Sequence, residues 1–457
     1  MGLQQKGMHG TWASRWTFIM AATGSAVGLG NMWKFPYVAG NNGGGAFVLA
    51  YLACILLIGV PVMMAEVAIG RRGRQSPINS VRELVAESGA NSAWRNLGWL
   101  GVLAGMLIIS FYAVIAGWAL DYIFAMASGE LRGANGDAAS AVFGNLLADP
   151  IRLIGWQTFF MILCVGVVVG GVKKGLGIAV EILMPLLFVM LFVLLGFSIF
   201  RGNFQAGWDF LFSFNLDALT GRGLLEAMGQ AFFTLSIGMG AIMAYGAYMP
   251  QSANIGKTIL TVAFFDSMVA IISGLVIFPI VFATPGLEPG AGPGLMFISL
   301  PVAFGSMPGG LLIGSMFFVL VTIAAWSSAI SLLEPAVAWL IEAKNMTRVQ
   351  ANLLIAGGTW LLGLGSVFSF NIWSGVTVAG FTFFDFLDFL ASNVMLPLSG
   401  LLIAIFVGYV MKEQFVDDEM QGTPPLVMQL WRFTLRYIAP VAISAVFVMG
   451  IYDKFFS

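Results

Sequence analysis

GSAVGLGNMW, residues 24–33, interrupts the first apolar stretch of the chain with three glycines, a serine and an asparagine. Gly and Asn are weak helix formers. In lipid, each amide or carbonyl released by an interrupted helix costs several kcal/mol unless protein, water or ligand satisfies it. The stretch therefore predicts a broken membrane helix whose freed carbonyls can meet a hard cation and whose freed amides can meet an anion such as a carboxylate. A similar interruption, FFTLSIGMGA, falls at residues 232–241.

The rest of the chain supports a membrane setting. Of its 457 residues, 59% are hydrophobic and only 9% charged, with a mean hydropathy of +0.91. Apolar runs of roughly 20 residues or more fit helices crossing a hydrocarbon layer about 30 Å thick, and no barrel-like alternation is present. The runs predict eleven spans, at 14–38, 44–70, 97–127, 154–172, 177–200, 226–249, 258–283, 311–342, 350–368, 379–411 and 430–452. Basic residues such as Arg71, Arg72, Arg74, Lys173, Lys174, Arg348 and Arg436 gather in segments that share one side with the amino terminus. The positive-inside rule places that side in the cytoplasm and the carboxyl terminus outside.

The first apolar stretch runs on into KFPY without a convincing cleavage site and is expected to be retained. Cys54 and Cys164 fall inside apolar spans and read as small buried residues. A net charge of −1 gives no reason to expect a nucleic-acid partner. The two interruptions lie five spans apart, as expected if residues 14–200 and 226–411 are inverted-topology repeats within one transporter domain spanning 1–457. The last span, 430–452, then stands outside the repeats.

The ordered set GSAVGLGNMWKFPYVAGNNGGGAF, PVMMAEVAIGRRGR, GQAFFTLSIGMGAIMAYGAY and AAWSSAISLLEP closely resembles the neurotransmitter:sodium symporters, and the eleven spans resemble their bacterial amino-acid branch. The resemblance implies an all-α polytopic membrane protein with the LeuT fold. It implies a bacterial cytoplasmic-membrane transporter that couples sodium to amino-acid uptake, with no enzymatic activity.

By that resemblance, a first sodium site uses the Ala26 carbonyl, the Asn31 side chain, the Thr234 carbonyl and hydroxyl, and Asp266, completed by the substrate carboxylate. A second uses the carbonyls of Gly24, Val27 and Ala324 with the hydroxyls of Ser327 and Ser328. Both are all-oxygen sets, as a hard cation requires. Chloride-dependent relatives carry a neutral residue where Asp266 stands, so chloride independence is expected. Protonation of Asp266 on the return step would add proton antiport. The substrate carboxylate is expected at the amides of Leu29 and Gly30 and the Tyr112 hydroxyl, with Gly28 leaving room, and the ammonium at carbonyls around Ser25, Phe233, Thr234 and Ser236. Ile108, Tyr112, Phe233, Ser236, Met239, Ser328 and Leu332 would line a side-chain pocket suited to a neutral hydrophobic or aromatic amino acid.

The resemblance also implies two gates. Lys34 and Asp388 form the outer pair above a Tyr112–Phe233 lid, with Asp385 in an outer vestibule. At the inner gate His9 stands where relatives carry Arg, with Glu342 as its carboxylate partner and Tyr248 nearby; Arg15 or Lys6 could substitute for His9. Glu66 and Tyr245 match positions that brace the unwound segment. Gly175 and Pro185 frame a portion of the fifth span that unwinds in some relatives. A sodium-dependent sensor or a channel-like facilitator of the same fold is the alternative function. An intramembrane enzyme is disfavoured because no Ser/His, Cys/His or metal-ligand set stands at workable spacing.

Overall fold

The computed structural model describes residues 10–215, 219–289, 294–378 and 380–455. Among them, nine continuous helices are long and apolar enough to cross a membrane: Gly45–Gly73, Ser92–Ser128, Pro150–Val169, Val172–Arg201, Ile255–Phe282, Gly310–Lys344, Arg348–Phe368, Phe383–Val410 and Pro425–Tyr452. Two interrupted helices complete the set. One comprises Arg15–Ala26 and, after a break, residues 30–41; the other comprises Gly221–Thr234 and Ala241–Ala247. In chain order these are spans 1 to 11, with the interruptions in spans 1 and 6. All eleven expected segments are present, with ends shifted by a few residues.

The interruptions have local causes. Span 1 starts at Ser14, whose side chain accepts from the Thr17 amide, and leaves the helix at Val27, where ψ turns to 104°. It resumes as a π-helical turn, Gly30–Lys34, that runs into Phe35–Asn41. The first half of span 6 starts at a Thr220 cap and ends at Thr234. Three residues then take positive φ: Ser236 at 54°, Gly238 at 81° and Gly240 at 73°. Glycine takes this conformation without steric cost, whereas a serine held there costs on the order of 1 kcal/mol or more. Ser236 therefore needs compensation from its surroundings, and its hydroxyl donates to the Ser25 carbonyl at 2.9 Å, tying one break to the other.

Packing places the polar groups inside and apolar groups outside. Asn31, Glu66, Thr234, Asp266, Ser331 and Glu334 are fully buried, whereas Leu56, Leu57, Ile182, Phe192 and Leu353 are exposed. In water this distribution would be unstable; in lipid the apolar exterior meets hydrocarbon while the interior polar groups satisfy one another. Spans 3 and 8 pack along their length, span 2 lies against the second half of span 6, and the first half of span 1 runs between spans 7 and 8. Both breaks are thus enclosed by spans 3, 7 and 8.

Several short helices were not anticipated by the hydropathy reading: Pro77–Ser88, Gly136–Ala148, Phe204–Phe212, Leu300–Ser306 and Glu413–Glu419. Span 5 bears on the Gly175–Pro185 stretch, which unwinds in some relatives. A π-helical turn, Val172–Gly177, leads directly into the helix Ile178–Arg201, and Pro185 is accommodated inside it. The stretch between Gly175 and Pro185 is therefore helical.

Candidate functional site

The two breaks and span 7 build a first oxygen cluster. Asn31, in the π-helical turn of span 1, donates through Nδ2 to Asp266 Oδ1 at 2.8 Å and to the Asp266 carbonyl at 3.1 Å. Its Oδ1 accepts from the Gly28 amide at 3.1 Å. Thr234, the last helical residue before the break in span 6, has its hydroxyl 3.2 Å from the Tyr51 hydroxyl, which also donates to Asp266 Oδ2 at 3.4 Å. Ala26 ends the first half of span 1 and lines the adjoining cavity. Asp266 supplies the only formal negative charge in this expected ligand set, and among the described residues no group of three or more His, Cys, Asp or Glu side chains is arranged for a metal ion. One carboxylate among neutral oxygens suits a monovalent hard cation better than a divalent one.

A second cluster joins spans 1 and 8. Ser328 Oγ lies 3.3, 3.0 and 3.2 Å from the carbonyl oxygens of Gly24, Ser25 and Val27. Ser327 Oγ donates to the Ala324 carbonyl at 3.0 Å. Read alone, that last bond is ordinary back-bonding within a helix. Three converging carbonyls from an interrupted helix are not; of the residues expected at the second site, Gly24, Val27 and Ser328 take part in this convergence, while Ser327 and Ala324 bond to each other.

Between the clusters lies a cavity of about 20 Å³, lined by Ser25, Ala26, Gly28, Gly30, Ile108, Tyr112, Phe233, Ser236, Met239, Ser328 and Leu332. Every residue expected at the substrate lines it except Leu29 and Thr234. Leu29 acts through its backbone, its amide donating to the Tyr112 hydroxyl at 3.1 Å; Thr234 belongs to the first cluster. A Cβ at position 28 would come within 2.5 Å of Ser328 Oγ and 2.7 Å of Tyr112 Oη, so only glycine leaves the amides of this break approachable. Free space of this size holds about one water, so an amino acid enters only as the lining side chains move.

Above the cavity opens a vestibule of about 510 Å³ that contains Lys34, Glu226, Gln230, Asp385 and Asp388. The expected outer pair shares this space but does not form an ion pair among the described residues. Lys34 Nζ sits 4.7 Å from the centre of the Phe233 ring, and Asp388 Oδ1 accepts from Ser392 at 2.8 Å. Lysine's point charge favours the aromatic face here over the two-pronged contact an arginine could make. Asp385 is engaged locally with the Thr382 hydroxyl at 2.7 Å.

On the opposite face stand Tyr248 and Glu342, the two members of the expected inner gate that lie within the described residues. The Tyr248 hydroxyl donates to Glu334 Oε1 at 2.9 Å, Glu334 is also ion-paired with Arg348, and Arg348 Nε reaches the Val168 carbonyl at 2.7 Å. Glu342 lies farther along span 8 and accepts from the Ser76 amide and Asn79 Nδ2, both at 2.7 Å. His9 and Lys6 lie outside the described residues. Arg15 donates to Thr258 at 3.1 Å. Trp12 closes the same face: its amide donates to the Tyr248 carbonyl at 2.9 Å, and its Nε1 to the Tyr245 carbonyl at 3.1 Å. Tyr245 thus holds the amino-terminal segment, while Glu66 Oε2 braces the break in span 6 by accepting from the Gly238 amide at 3.3 Å.

Sequence reasoning missed Tyr51, Gln230, Glu334 and Arg348. Gln230 Nε2 donates to the Gly30 carbonyl at 2.7 Å and so supports the break in span 1. A carboxylate or amide within a membrane helix is itself a functional signal, and Glu334 and Gln230 both carried it.

Comparison with known proteins places these features in a group. The profile of the sodium:neurotransmitter symporter family matches residues 9–139 and 148–455. An uncharacterised sodium-dependent transporter of Bacillus subtilis is 37% identical over 440 residues, covering 96% of each chain. The bovine sodium-dependent dopamine transporter is 25% identical, over 96% of this chain and 69% of its own. The crystal structure of MhsT in complex with L-phenylalanine superposes with a TM-score of 0.88 at 44% identity, covering 96% of this chain and 99% of that one.

Proposed function

This chain belongs to the sodium:neurotransmitter symporter family, and from that premise we propose that it imports a neutral hydrophobic or aromatic L-amino acid together with two sodium ions, without chloride, by alternating access. It is a sodium-dependent symporter with the LeuT fold and not an enzyme. The observation that carries the finer reading is the adjacency of the Gly28 break, where the Leu29 amide meets the Tyr112 hydroxyl, to the cluster of Asp266, Asn31 and Thr234.

The chemistry follows from that adjacency. A substrate carboxylate at the Leu29 and Gly30 amides and the Tyr112 hydroxyl completes the coordination of the first sodium, so neither cargo binds well alone. Asp266 offsets the sodium charge in place, which leaves no need for a separate anion. The ammonium meets carbonyls such as Ser25 O, displacing the Ser236 and Ser328 hydroxyls that now donate to it. Ile108, Met239 and Leu332 offer no charge or hydrogen bond to the side chain, which favours apolar substrates, and Met239 adapts its shape. The phenylalanine bound by MhsT is a ligand of this chemical class.

Sodium supplies the drive. Moving two charges through about 100 mV releases about 4.6 kcal/mol, enough to hold a zwitterion gradient of roughly a thousandfold. On the expected topology, with the amino terminus in the cytoplasm, the vestibule faces outward. Rocking of the two repeats would then expose the site on the Tyr248–Glu334 side.

Uptake of labelled leucine, phenylalanine and alanine into proteoliposomes tests this reading. Accumulation above equilibrium is expected with an inward sodium gradient, unchanged when gluconate replaces chloride and absent with potassium. Equilibration without accumulation would identify a facilitator, and sodium-dependent binding without flux a sensor.

A further inference from the structure

Gly30 and Gln230 set the register between the outer half of span 1 and the first half of span 6. Gln230 Nε2 donates to the Gly30 carbonyl at 2.7 Å, and a Cβ on Gly30 would lie 3.0 Å from Phe233 Cδ1, so the two segments are held together at this level. From there span 1 runs outward with increasing residue number and span 6 with decreasing number. One turn farther out on each stand Lys34 and Glu226, and both line the vestibule. Lys34 is bent inward, its Nζ 4.7 Å from the centre of the Phe233 ring. Glu226 accepts from Asn42 Nδ2 at 2.7 Å and from Arg222 Nε at 3.1 Å, through different carboxylate oxygens. The Arg222 side chain is 73% exposed, so it is a weak competitor for that carboxylate.

We propose that Glu226 is a positioning residue for the outer gate: it holds Lys34 while the vestibule is open, and Lys34 passes to Asp388 when the vestibule closes. This rests on the reading of the chain as an alternating-access transporter. The two carboxylates differ in what a pair with Lys34 would join. Glu226 belongs to span 6, which Gln230 and Ser236 tie to span 1, so a Lys34–Glu226 pair stays within one wall of the vestibule. Asp388 belongs to span 10, in another wall of the same space, so a Lys34–Asp388 pair draws two walls together. Lysine suits such an exchange. A single charge on a flexible stem can pass between two carboxylates, whereas the fork of an arginine is held by the first one it meets in two-pronged contact. An ionised carboxylate has about four lone-pair positions, so Glu226 can take the ammonium without releasing Asn42. Asp385, the third vestibule carboxylate, stands one turn farther out on span 10 and is engaged by the Thr382 hydroxyl.

Gly229 lies in the vestibule wall one turn inward of Glu226, and a Cβ there meets nothing within 4 Å. Gly229→Cys therefore adds a reporter without a clash, while Cys54 and Cys164 are buried. The rate at which a membrane-impermeant thiol reagent reacts with the purified Gly229→Cys protein measures how far the entrance is open. Adding Glu226→Gln is expected to slow this reaction about two- to fivefold, the weight of a partly exposed ion pair, because Lys34 is then left to Asp388. Asp388→Asn should speed it by a similar factor. Arg222→Gln, which frees Glu226, should speed it as well, and it reads the same contact with Glu226 intact if Glu226→Gln does not fold. In a Lys34→Gln background none of the three substitutions should change the rate. An unchanged rate in Glu226→Gln, or a change that persists without Lys34, would overturn the proposal. A reaction that responds neither to Asp388→Asn nor to sodium added with leucine would mean that the vestibule does not close, and would remove the alternating-access reading and this inference together.

Discussion

Asp266 concentrates the chemistry of the first cluster in one side chain. It is fully buried and receives hydrogen bonds from Asn31 and Tyr51, yet no cationic side chain faces it in an ion pair among the described residues. Burying a carboxylate without a counter-charge is costly; in the proposed first site a sodium ion would provide that counter-charge. Asp266→Asn keeps the size and the hydrogen-bonding capacity but removes the charge. Its apparent sodium affinity is expected to drop by at least about tenfold, the equivalent of one charge-assisted contact, read from the sodium dependence of substrate binding. An unchanged sodium titration would remove Asp266 from the cation site. Asp266 was legible in the sequence because a carboxylate in an apolar run is conspicuous. Tyr51 was not: its partners Thr234 and Asp266 lie far along the chain, and a tyrosine among Phe, Leu and Ala reads as packing.

The elements show the same division between local and long-range information. Both breaks were visible because glycine, serine and asparagine disturb an apolar run wherever the chain later travels. The short helix Glu413–Glu419 escaped notice because nothing in EQFVDDE signals a buried role. In the structure each of its acidic side chains has a cationic partner: Glu413 with Arg436, Asp417 with Arg432, Asp418 with Arg72 and Glu419 with Arg71. The helix thereby joins the end of span 2 to span 11. These pairs differ in weight. Arg71 and Glu419 are each only 4% exposed in their side chains, at 2.6 Å, and Arg71 also donates to the Ala253 carbonyl at 2.6 Å; Asp417 is 58% exposed. Removing one partner of a buried pair strands the other charge and costs about 3–5 kcal/mol, whereas an exposed pair contributes less than about 1 kcal/mol. Glu419→Gln should therefore lower the thermal denaturation midpoint in detergent far more than Asp417→Asn, and added salt should leave that difference in place. Equal shifts would mean that the buried pair is not the anchor of this helix.

At the scale of the whole molecule, the two faces differ in how they are closed. The vestibule side carries the Lys34 contact with Phe233, the Tyr112 bond to Leu29 and the Asn42 bond to Glu226, with no ion pair between Lys34 and Asp388 among the described residues. The opposite side is held by Trp12 on Tyr245 and Tyr248, by Tyr248 on Glu334, and by the Glu334–Arg348 ion pair, in which Glu334 is fully buried. If the two faces open in alternation, as proposed, then removing one partner of the buried Glu334–Arg348 pair strands a charge and is expected to shift the balance between them. Glu334→Gln tests this. It keeps the hydrogen bond to Tyr248 within reach but removes the ion pair, so the resting population shifts toward opening on the Trp12 side. A cysteine at Thr17, on the first half of span 1, should then react faster with a membrane-impermeant thiol reagent, while one at Asn41, in the vestibule wall, should react more slowly. Cys54 and Cys164 are buried and contribute little background. Sodium, if it binds at the junction of the two breaks as proposed, should favour the arrangement in which both clusters are assembled and so reverse both changes in part. Opposite shifts at the two cysteines would show that the faces are alternatives of one equilibrium. A rise at both would mean that Glu334→Gln loosens the inner side without moving the outer one, and that the Glu334–Arg348 pair is a local brace with no part in alternating access.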